Sequence, residues 1–250
     1  DKTALSHHQV KTSTEYNNSR ASLSHGSAFD KHRIEIVNPD SCVPCPANTI
    51  GEIWCQGPSI ALGYWNNEAL TESTFHATTK DGRGPFLRTG DLGFLYHDEL
   101  HITGRIKDTI IVHGNSYAAE DIEWTMQQAH PALRPGNLCA FSVPNDEHEN
   151  TVLLAEVRPQ KKSHFKDIFH ALNSHSLTQI GIHLDTLVLL HPNSLHKTTS
   201  GKIQRQKNKK AFTHNKLPSL VSQQHPNRIE QHTEKTQLAE FFLLPDKDIS

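Results

Sequence analysis

The sequence predicts an α+β protein in which a β-rich segment precedes a small mixed α/β domain. Three observations lead to this prediction. Strand-like alternation dominates up to residue 106, helical and strand periods alternate after it, and 250 residues are enough for two domains. We therefore expect residues 1–106 to be the last part of one domain, residues 107–212 to form a second domain, and residues 213–250 to be a linker or tail.

The first segment begins without a periodic pattern and then becomes β-rich. Residues 1–28 are rich in Ser, Thr, His and Asn, which predicts a loop or a frayed end. The elements predicted after it are strands at 33–37 and 51–56, a helix at 68–78, and strands at 93–96 and 100–103 that a turn joins. A Gly/Pro-rich stretch at 81–85 separates the helix from the last two strands.

The second segment has the element order β-α-β-β-α-β, which predicts a small α/β domain of about 100 residues. Its predicted elements are a strand at 109–112, a helix at 118–129, strands at 138–143 and 152–157, a helix at 164–172, a strand at 186–190 and a basic helix at 203–212. Residues beyond this helix are polar except for an apolar cluster at 238–244, so we expect no further domain there.

Composition excludes several classes of protein. Charged residues make up 21% and the formal net charge is −2, so no overall field favours nucleic acid or an anionic membrane. The apolar runs are far shorter than the roughly 18 residues of a membrane span. Four cysteines, including one isolated Cys42-Val-Pro-Cys45, and nineteen scattered histidines predict neither a disulfide framework nor a metal site. We expect a cytoplasmic protein with small-molecule chemistry.

Two residues have the chemistry of nucleotide ligands. Asp91 ends a Thr-Gly-Asp sequence that we interpret as a tight turn, and its carboxylate can accept two hydrogen bonds from a ribose diol. Arg105 lies just after the end of the next predicted strand, and its rigid fork of donors could reach the ribose or phosphate of the same nucleotide. Taken alone, Asp91 is better interpreted as a turn or capping residue and Arg105 as a structural ion-pair partner, whereas the two together favour the nucleotide site.

Lys202 lies in a Ser-Gly-Lys loop that precedes the basic helix, and its flexible side chain delivers a compact positive charge. Such a cation can align two anions that must react with one another. The alternative is a basic surface loop, because Lys197, Lys207, Lys209 and Lys210 lie in the same region.

Three stretches in order resemble the adenylate-forming superfamily, which includes acyl-CoA synthetases, luciferases and peptide-synthetase adenylation domains. They are Phe86-Leu-Arg-Thr-Gly-Asp-Leu-Gly93, Thr103-Gly-Arg-Ile-Lys-Asp108 and Thr198-Thr-Ser-Gly-Lys-Ile-Gln-Arg205. The stretches 51–65 and 82–91 are most similar to the fatty acyl-AMP ligase branch. The resemblance extends from Ile34 to Lys210 and implies the end of a large adenylating domain followed by a small mobile domain.

This resemblance implies an activity and a set of site residues. A fatty acid would react with ATP, in the presence of Mg²⁺, to give acyl-AMP and pyrophosphate. The acyl group would then pass to the thiol of an acyl carrier protein or of a polyketide or peptide synthase carrier domain. Asp91 and Arg105 would bind the nucleotide, Lys202 would be catalytic, and Lys107 would be the hinge between the domains.

The sequence also departs from the family pattern. The stretch Gly114–Glu123 lacks the proline of an Asn-His-Tyr-Pro-like sequence, although it keeps Asp-Ile-Glu. Residues 1–29 contain no Ser/Thr/Gly-rich phosphate loop ending in Lys. We therefore expect a fragment or a truncated gene product that is inactive alone. An acyl-CoA synthetase fragment and a non-catalytic remnant or interaction module are the alternatives.

Overall fold

The computed structural model describes residues 1–15, 19–145, 149–159, 164–224 and 241–242. The chain divides into two compact units, unit 1 at Asp1–Thr109 and unit 2 at Ile110–Ser250. Antiparallel strands dominate unit 1, whereas unit 2 combines a mixed sheet with helices. The predicted α+β class is confirmed. No helix among the described residues is both long and apolar enough to cross a membrane.

Unit 1 is built on a four-stranded antiparallel sheet of order β1-β2-β3-β4. Its elements are α1 Lys2–Ser6, β1 Arg33–Val37, β2 Gly51–Gln56, α2 Glu68–Phe75, β3 Leu87–Tyr96 and β4 Glu99–Arg105. The β3–β4 connection is a tight hairpin because His97 and Asp98 both adopt positive φ, 51° and 62°. Val37, Trp54 and Phe86 form its buried apolar cluster.

The amino-terminal segment is more ordered than the predicted loop or frayed end at 1–28. It begins with the short helix α1, and further on it pairs with the edge of the sheet. The backbone N–H of His25 donates to the carbonyl of Leu100, and the N–H of Leu100 donates to the carbonyl of Gly26. An edge strand offers unpaired backbone groups, so a polar segment can bind there without any apolar periodicity.

Unit 2 contains a five-stranded sheet of order β11-β10-β9-β8-β7 and a two-stranded sheet of β5 and β6. Its elements are β5 Thr109–Val112, β6 Asn115–Ala118, α3 Ala119–Met126, β7 Leu133–Pro144, β8 Glu149–Val157, α4 Phe165–Gln179, β9 Thr186–Leu190, α5 Arg205–Thr213, β10 Ser219–Gln224 and β11 Phe241–Phe242. The β8–β9 pair is parallel, and the other pairs of the larger sheet are antiparallel.

Both faces of the larger sheet are covered. Along β8, Leu153 and Ala155 belong to the apolar cluster that includes α3 and α4, whereas Val152 and Leu154 belong to a second cluster. Phe212 of α5 packs against that second cluster. A strand that is buried on both faces appears in the sequence as a continuous apolar run, which is why this strand was predicted.

The prediction of a linker or tail at 213–250 is wrong for residues 219–224. These residues form β10, which pairs with β9, and Val221 is only 3% exposed. The strand was missed because its Ser-Leu-Val-Ser sequence is short and lies in a polar neighbourhood. Residues 225–240 and 243–250, and with them most of the predicted apolar cluster at 238–244, lie outside the described residues.

Candidate functional site

The Thr-Gly-Asp sequence is a bulge inside β3 and not the predicted turn. Thr89–Asp91 lie opposite the single residue Ile53 of β2, because the register shifts at this point of the ladder. Gly90 adopts a φ of +73°, which favours glycine. The Thr89 hydroxyl donates to the carbonyl of Ile53 at 2.7 Å and accepts from the N–H of Asp91 at 3.1 Å. The bulge therefore has one fixed shape.

A buried carboxylate supports this bulge from behind. Glu52 is 2% exposed, and its Oε1 accepts a hydrogen bond from the backbone N–H of Gly90 at 3.0 Å. Its Oε2 accepts from the indole N–H of Trp54 at 2.8 Å and from Nε of Arg88 at 2.9 Å. Because these donors satisfy the buried charge, Glu52 holds the backbone of the bulge in place.

Asp91 and Arg105 are direct cross-strand partners on β3 and β4, and Nε of Arg105 donates to Oδ1 of Asp91 at 2.7 Å. The side chain of Arg105 is 62% exposed and that of Asp91 is 28% exposed. The structure therefore brings the two predicted nucleotide ligands together at the surface of unit 1. A pair this exposed contributes only about 0–1 kcal/mol to stability.

Lys107 lies in a single 3₁₀ turn, Ile106–Asp108, directly after β4. The turn is closed by the Thr109 hydroxyl, which donates to the carbonyl of Arg105 at 2.9 Å. The predicted hinge residue thus lies two residues after Arg105 and two residues before the end of unit 1.

Lys202 lies in unit 2, on a segment that we call the lysine loop, His196–Gln204. Lys197 and Ile203 pair as an isolated bridge, and the N–H of Thr198 donates to the carbonyl of Lys202 at 2.8 Å. The Thr198 hydroxyl accepts from the N–H of Lys202 at 3.0 Å, and Gly201 has a φ of +84°. The loop is a tight hairpin turn, and the side chain of Lys202 is exposed at its end.

Two lysines of this loop have different environments. Nζ of Lys197 donates to the carbonyl of Gly136 at 2.9 Å and to Oδ1 of Asn137 at 2.6 Å, so its charge attaches the loop to β7. Nζ of Lys202 makes no hydrogen bond or ion pair with the part of the chain that the structure describes. Lys202 is therefore distinguished from its basic neighbour by an ammonium group that is accessible to a ligand.

A buried ion pair attaches α5 to α3 just after the lysine loop. Nη2 of Arg205 donates to Oε1 and Oε2 of Glu123 at 2.9 and 3.0 Å, and the N–H of Ala140 donates to Oε1 at 2.8 Å. Arg205 is 8% exposed, so it is not part of the basic surface. Burial raises the pKa of Glu123 to about 7, against the opposing effects of Arg205 and the Ala140 amide.

The cysteines of unit 1 have partly buried thiols. Cys42, Cys45 and Cys55 are free thiols, and burial raises the pKa of Cys45 and of Cys55, the latter with a further contribution from the charge of Asp91. Among the described residues, no group of three or more His, Cys, Asp or Glu side chains is arranged to hold a metal ion.

The sequence analysis missed Glu52, Glu123, Arg205 and the buried Asn208 of α5, all of which support the candidate residues. Glu52 and Glu123 do lie within matched stretches, Gly-Glu-Ile-Trp and Asp-Ile-Glu. An acidic residue flanked by buried apolar residues was the available signal, because a charge at such a position needs a partner.

The chain is similar in sequence to proteins of known family. Residues 107–222 match the family model of the Disco-interacting protein 2-like AMP domain. The chain is 39% identical over 186 residues to the medium-chain-fatty-acid–[acyl-carrier-protein] ligase JamA of Moorena producens, covering 73% of this chain and 31% of that protein. It is 40% identical over 183 residues to the putative fatty-acid–CoA ligase FadD21 of Mycobacterium tuberculosis, covering 69% and 31%.

The fold is also similar to a solved structure from a study of fatty acyl-adenylate ligases of E. coli and L. pneumophila. The TM-score is 0.70 at 30% sequence identity, covering 84% of this chain and 36% of that one. This chain spans about a third of the length of the curated relatives that it matches.

Proposed function

The chain belongs to the adenylate-forming superfamily, and on that basis we propose that it is the carboxy-terminal part of a fatty acyl-AMP ligase. The complete enzyme activates a fatty acid with ATP, forming acyl-AMP and pyrophosphate. It then passes the acyl group to the thiol of a carrier protein and releases AMP.

The pairing of Asp91 with Arg105 is the observation that carries this proposal. Nε of Arg105 donates to Oδ1 of Asp91, and Oδ2 and the Nη groups of Arg105 have no hydrogen-bond partner among the residues that the structure describes, so they can bind a ligand. A carboxylate accepts hydrogen bonds from the two hydroxyls of a ribose, and a guanidinium donates to the ribose or to a phosphate. The rigid bulge supported by Glu52 fits this role, because a fixed acceptor binds a diol without losing side-chain freedom.

Lys202 acts in the first half-reaction. An oxygen of the fatty acid carboxylate attacks the α-phosphorus of ATP, and the bond from that phosphorus to the pyrophosphate oxygen breaks. The ammonium of Lys202 lies between the two anions, aligns them and stabilises the charge that develops. Magnesium bound with ATP would neutralise phosphate charge, and such an ion is typically held by the phosphates, by waters and by one or two carboxylates.

Lys107 is the proposed hinge between the two half-reactions. Unit 2 presents Lys202 for adenylation and then rotates about this residue to admit the thiol. The single 3₁₀ turn that contains Lys107 is short and polar, as expected of a segment that absorbs changes in φ and ψ. Structures of the complete enzyme bound to acyl-AMP and to a carrier protein test this proposal, because they should differ by a rotation at Lys107.

The acceptor has two candidates. JamA is named as a ligase for acyl carrier protein and FadD21 as a putative CoA ligase, and their identities to this chain, 39% and 40%, are nearly equal. We favour the carrier protein because stretches 51–65 and 82–91 are most similar to acyl-AMP ligases. An acyl-CoA ligase is the second candidate.

The test uses the complete protein that contains this chain, with radiolabelled ATP and a series of fatty acids. We expect acyl-AMP without any acceptor, and acyl transfer when a carrier protein, but not coenzyme A, is added. Asp91→Asn should abolish most acyl-AMP formation, whereas Asp98→Asn, at the exposed β3–β4 turn, should not. Transfer to coenzyme A would identify the second candidate, and no adenylate from any acid would identify a non-catalytic module.

A further inference from the structure

We propose that Asn208 is a positioning residue for Lys202, because its buried side-chain amide joins the two ends of the lysine loop to α5. This inference rests on the proposed role of Lys202 in adenylation. Asn208 touches neither the ammonium group nor any reacting atom, so it acts through the backbone of the loop.

The side chain of Asn208 is completely buried and uses one acceptor and both of its donors. Oδ1 accepts a hydrogen bond from the N–H of His196 at 2.8 Å. Nδ2 donates to the carbonyl of His196 at 3.0 Å and to the carbonyl of Gln204 at 3.2 Å. The first and last residues of the lysine loop are therefore held by a single amide group.

The chemistry of an amide is required at this position. Asn presents an acceptor and two donors together, whereas Asp presents acceptors alone and Leu or Ala presents neither. Asn is also a poor helix former, so helical propensity does not explain its place inside α5. Its contacts to the loop do explain it, because a buried polar group must be hydrogen-bonded.

Lys202 depends on this clamp because its side chain makes no hydrogen bond or ion pair with the described part of the chain that could hold it in place. Its ammonium contacts no group among the residues the structure describes, so the backbone of the loop decides where the charge stands. Hydrogen bonds between Thr198 and Lys202 fix the shape of the turn. Asn208 fixes where that turn stands on α5, and a displacement of about 1 Å can reduce a rate by about 10²-fold.

The experiment is a double-mutant cycle in the complete ligase. Single-turnover formation of acyl-AMP is measured for the wild type, Asn208→Ala, Lys202→Ala and the double variant, each corrected for its folded fraction. We expect Asn208→Ala to slow adenylation by about 10- to 100-fold and to have no further effect in the Lys202→Ala background. Transfer from preformed acyl-AMP should stay unchanged. Lys207→Ala, exposed on the same helix, should match the wild type.

Amide hydrogen exchange provides a readout that does not depend on activity. The amide of His196 should exchange faster in Asn208→Ala, because its acceptor is removed. Asn208→Asp keeps that acceptor and loses both donors, so it should protect His196 but still slow adenylation. This variant also replaces Asn208→Ala in the cycle if the alanine variant does not fold.

Two outcomes would overturn the positioning role of Asn208 and leave the proposed role of Lys202 intact. They are an additive effect of Asn208→Ala in the Lys202→Ala background, and equal slowing of both half-reactions. If Lys202→Ala itself leaves adenylation unchanged, the proposed role of Lys202 fails and the positioning role falls with it. These results are distinguishable, because only the last one is decided by comparing the Lys202→Ala single variant with the wild type.

Discussion

The guanidinium of Arg205 hydrogen-bonds both carboxylate oxygens of Glu123, a residue 82 positions earlier in the chain. The pair is buried and joins α5 to α3, so the helix that follows the lysine loop is attached to the core of unit 2. Burial is the main cause of the raised pKa of Glu123, and the charge of Arg205 opposes it. The carboxyl therefore titrates close to neutral pH.

This titration predicts a pH-dependent stability. The pKa of Glu123 is about 7 in the folded protein and has a reference value of 4.5, so the folded state binds this proton more tightly. The contribution is fully present below about pH 4.5 and is lost as the pH rises through about 7, a change of up to about 3 kcal/mol in the free energy of unfolding. Urea unfolding across this pH range measures the effect as the difference in the free energy of unfolding between the wild type and Glu123→Gln at each pH.

In that comparison, Glu123→Gln should remove the pH dependence, while Glu149→Gln, an exposed residue of β8, should keep it. A difference between the wild type and Glu123→Gln that stays constant with pH would mean that Arg205 keeps Glu123 ionised throughout.

Arg105→Lys should weaken ATP binding with little effect on folding. Lysine keeps the charge but loses the planar fork, so we expect the KM for ATP to rise by about 10-fold. The free energy of unfolding should change by less than about 1 kcal/mol, because the pair with Asp91 is exposed. Steady-state kinetics of the complete enzyme gives the KM. Arg33→Lys, whose side chain is 48% exposed beside Glu35, is the matched control and should change neither quantity.

Lys202→Ala should separate the two half-reactions. Acyl-AMP formation should slow by about 10² to 10³-fold, while transfer from preformed acyl-AMP should change little. Lys202→Arg should restore little activity, since a planar guanidinium cannot occupy the point between two anions as an ammonium does. Single-turnover kinetics measures each half-reaction, and thermal unfolding should be unchanged. Equal slowing of both halves would place Lys202 among the other surface lysines.

Glu52→Ala should destabilise unit 1 and disturb its site. The substitution removes the acceptor of the Gly90 amide and leaves Arg88 without its buried partner, which typically costs about 3–5 kcal/mol. Chemical unfolding of the chain measures the loss. The matched control is Glu72→Ala, whose side chain is 76% exposed beside His76, and a loss as small as in that control would contradict the role assigned to Glu52.

Val221→Ala tests whether β10 belongs to the core. Removing the two methyl groups of this buried residue should lower the free energy of unfolding by about 2 kcal/mol. Leu177→Ala, at a position that is 42% exposed on α4, should have a smaller effect. If the two substitutions proved equivalent by urea unfolding, β10 would contribute no core packing.

The features that the sequence predicted correctly are those that depend on residues close to one another along the chain. The Asp91–Arg105 convergence was predictable because the two residues lie on consecutive strands joined by a short turn. Glu52 and Glu123 could not be paired with Arg88 and Arg205 in the same way, since no periodicity links residues that meet only after folding.

Helix α4 shows the same limit at the level of an element. The sequence predicted its end at Leu172, whereas it continues to Gln179. The extension is polar and was therefore missed, yet its Ser176 is completely buried and donates to the carbonyl of Ile182 at 2.6 Å. Burial of a satisfied polar side chain leaves no hydrophobic signal.

The pairing of β9 with β10 restricts the way in which Lys202 can travel. Leu190 and Ser219 are cross-strand partners, so the chain leaves the sheet before the lysine loop and returns to the neighbouring position after α5. The segment 191–218 thus connects two adjacent strands, and its two ends are only about 5 Å apart. A lysine in a segment that is attached to the sheet at both ends does not move independently of that sheet. Any movement of Lys202 between the two half-reactions must therefore be a movement of the whole larger sheet of unit 2, to which both ends of this segment are attached.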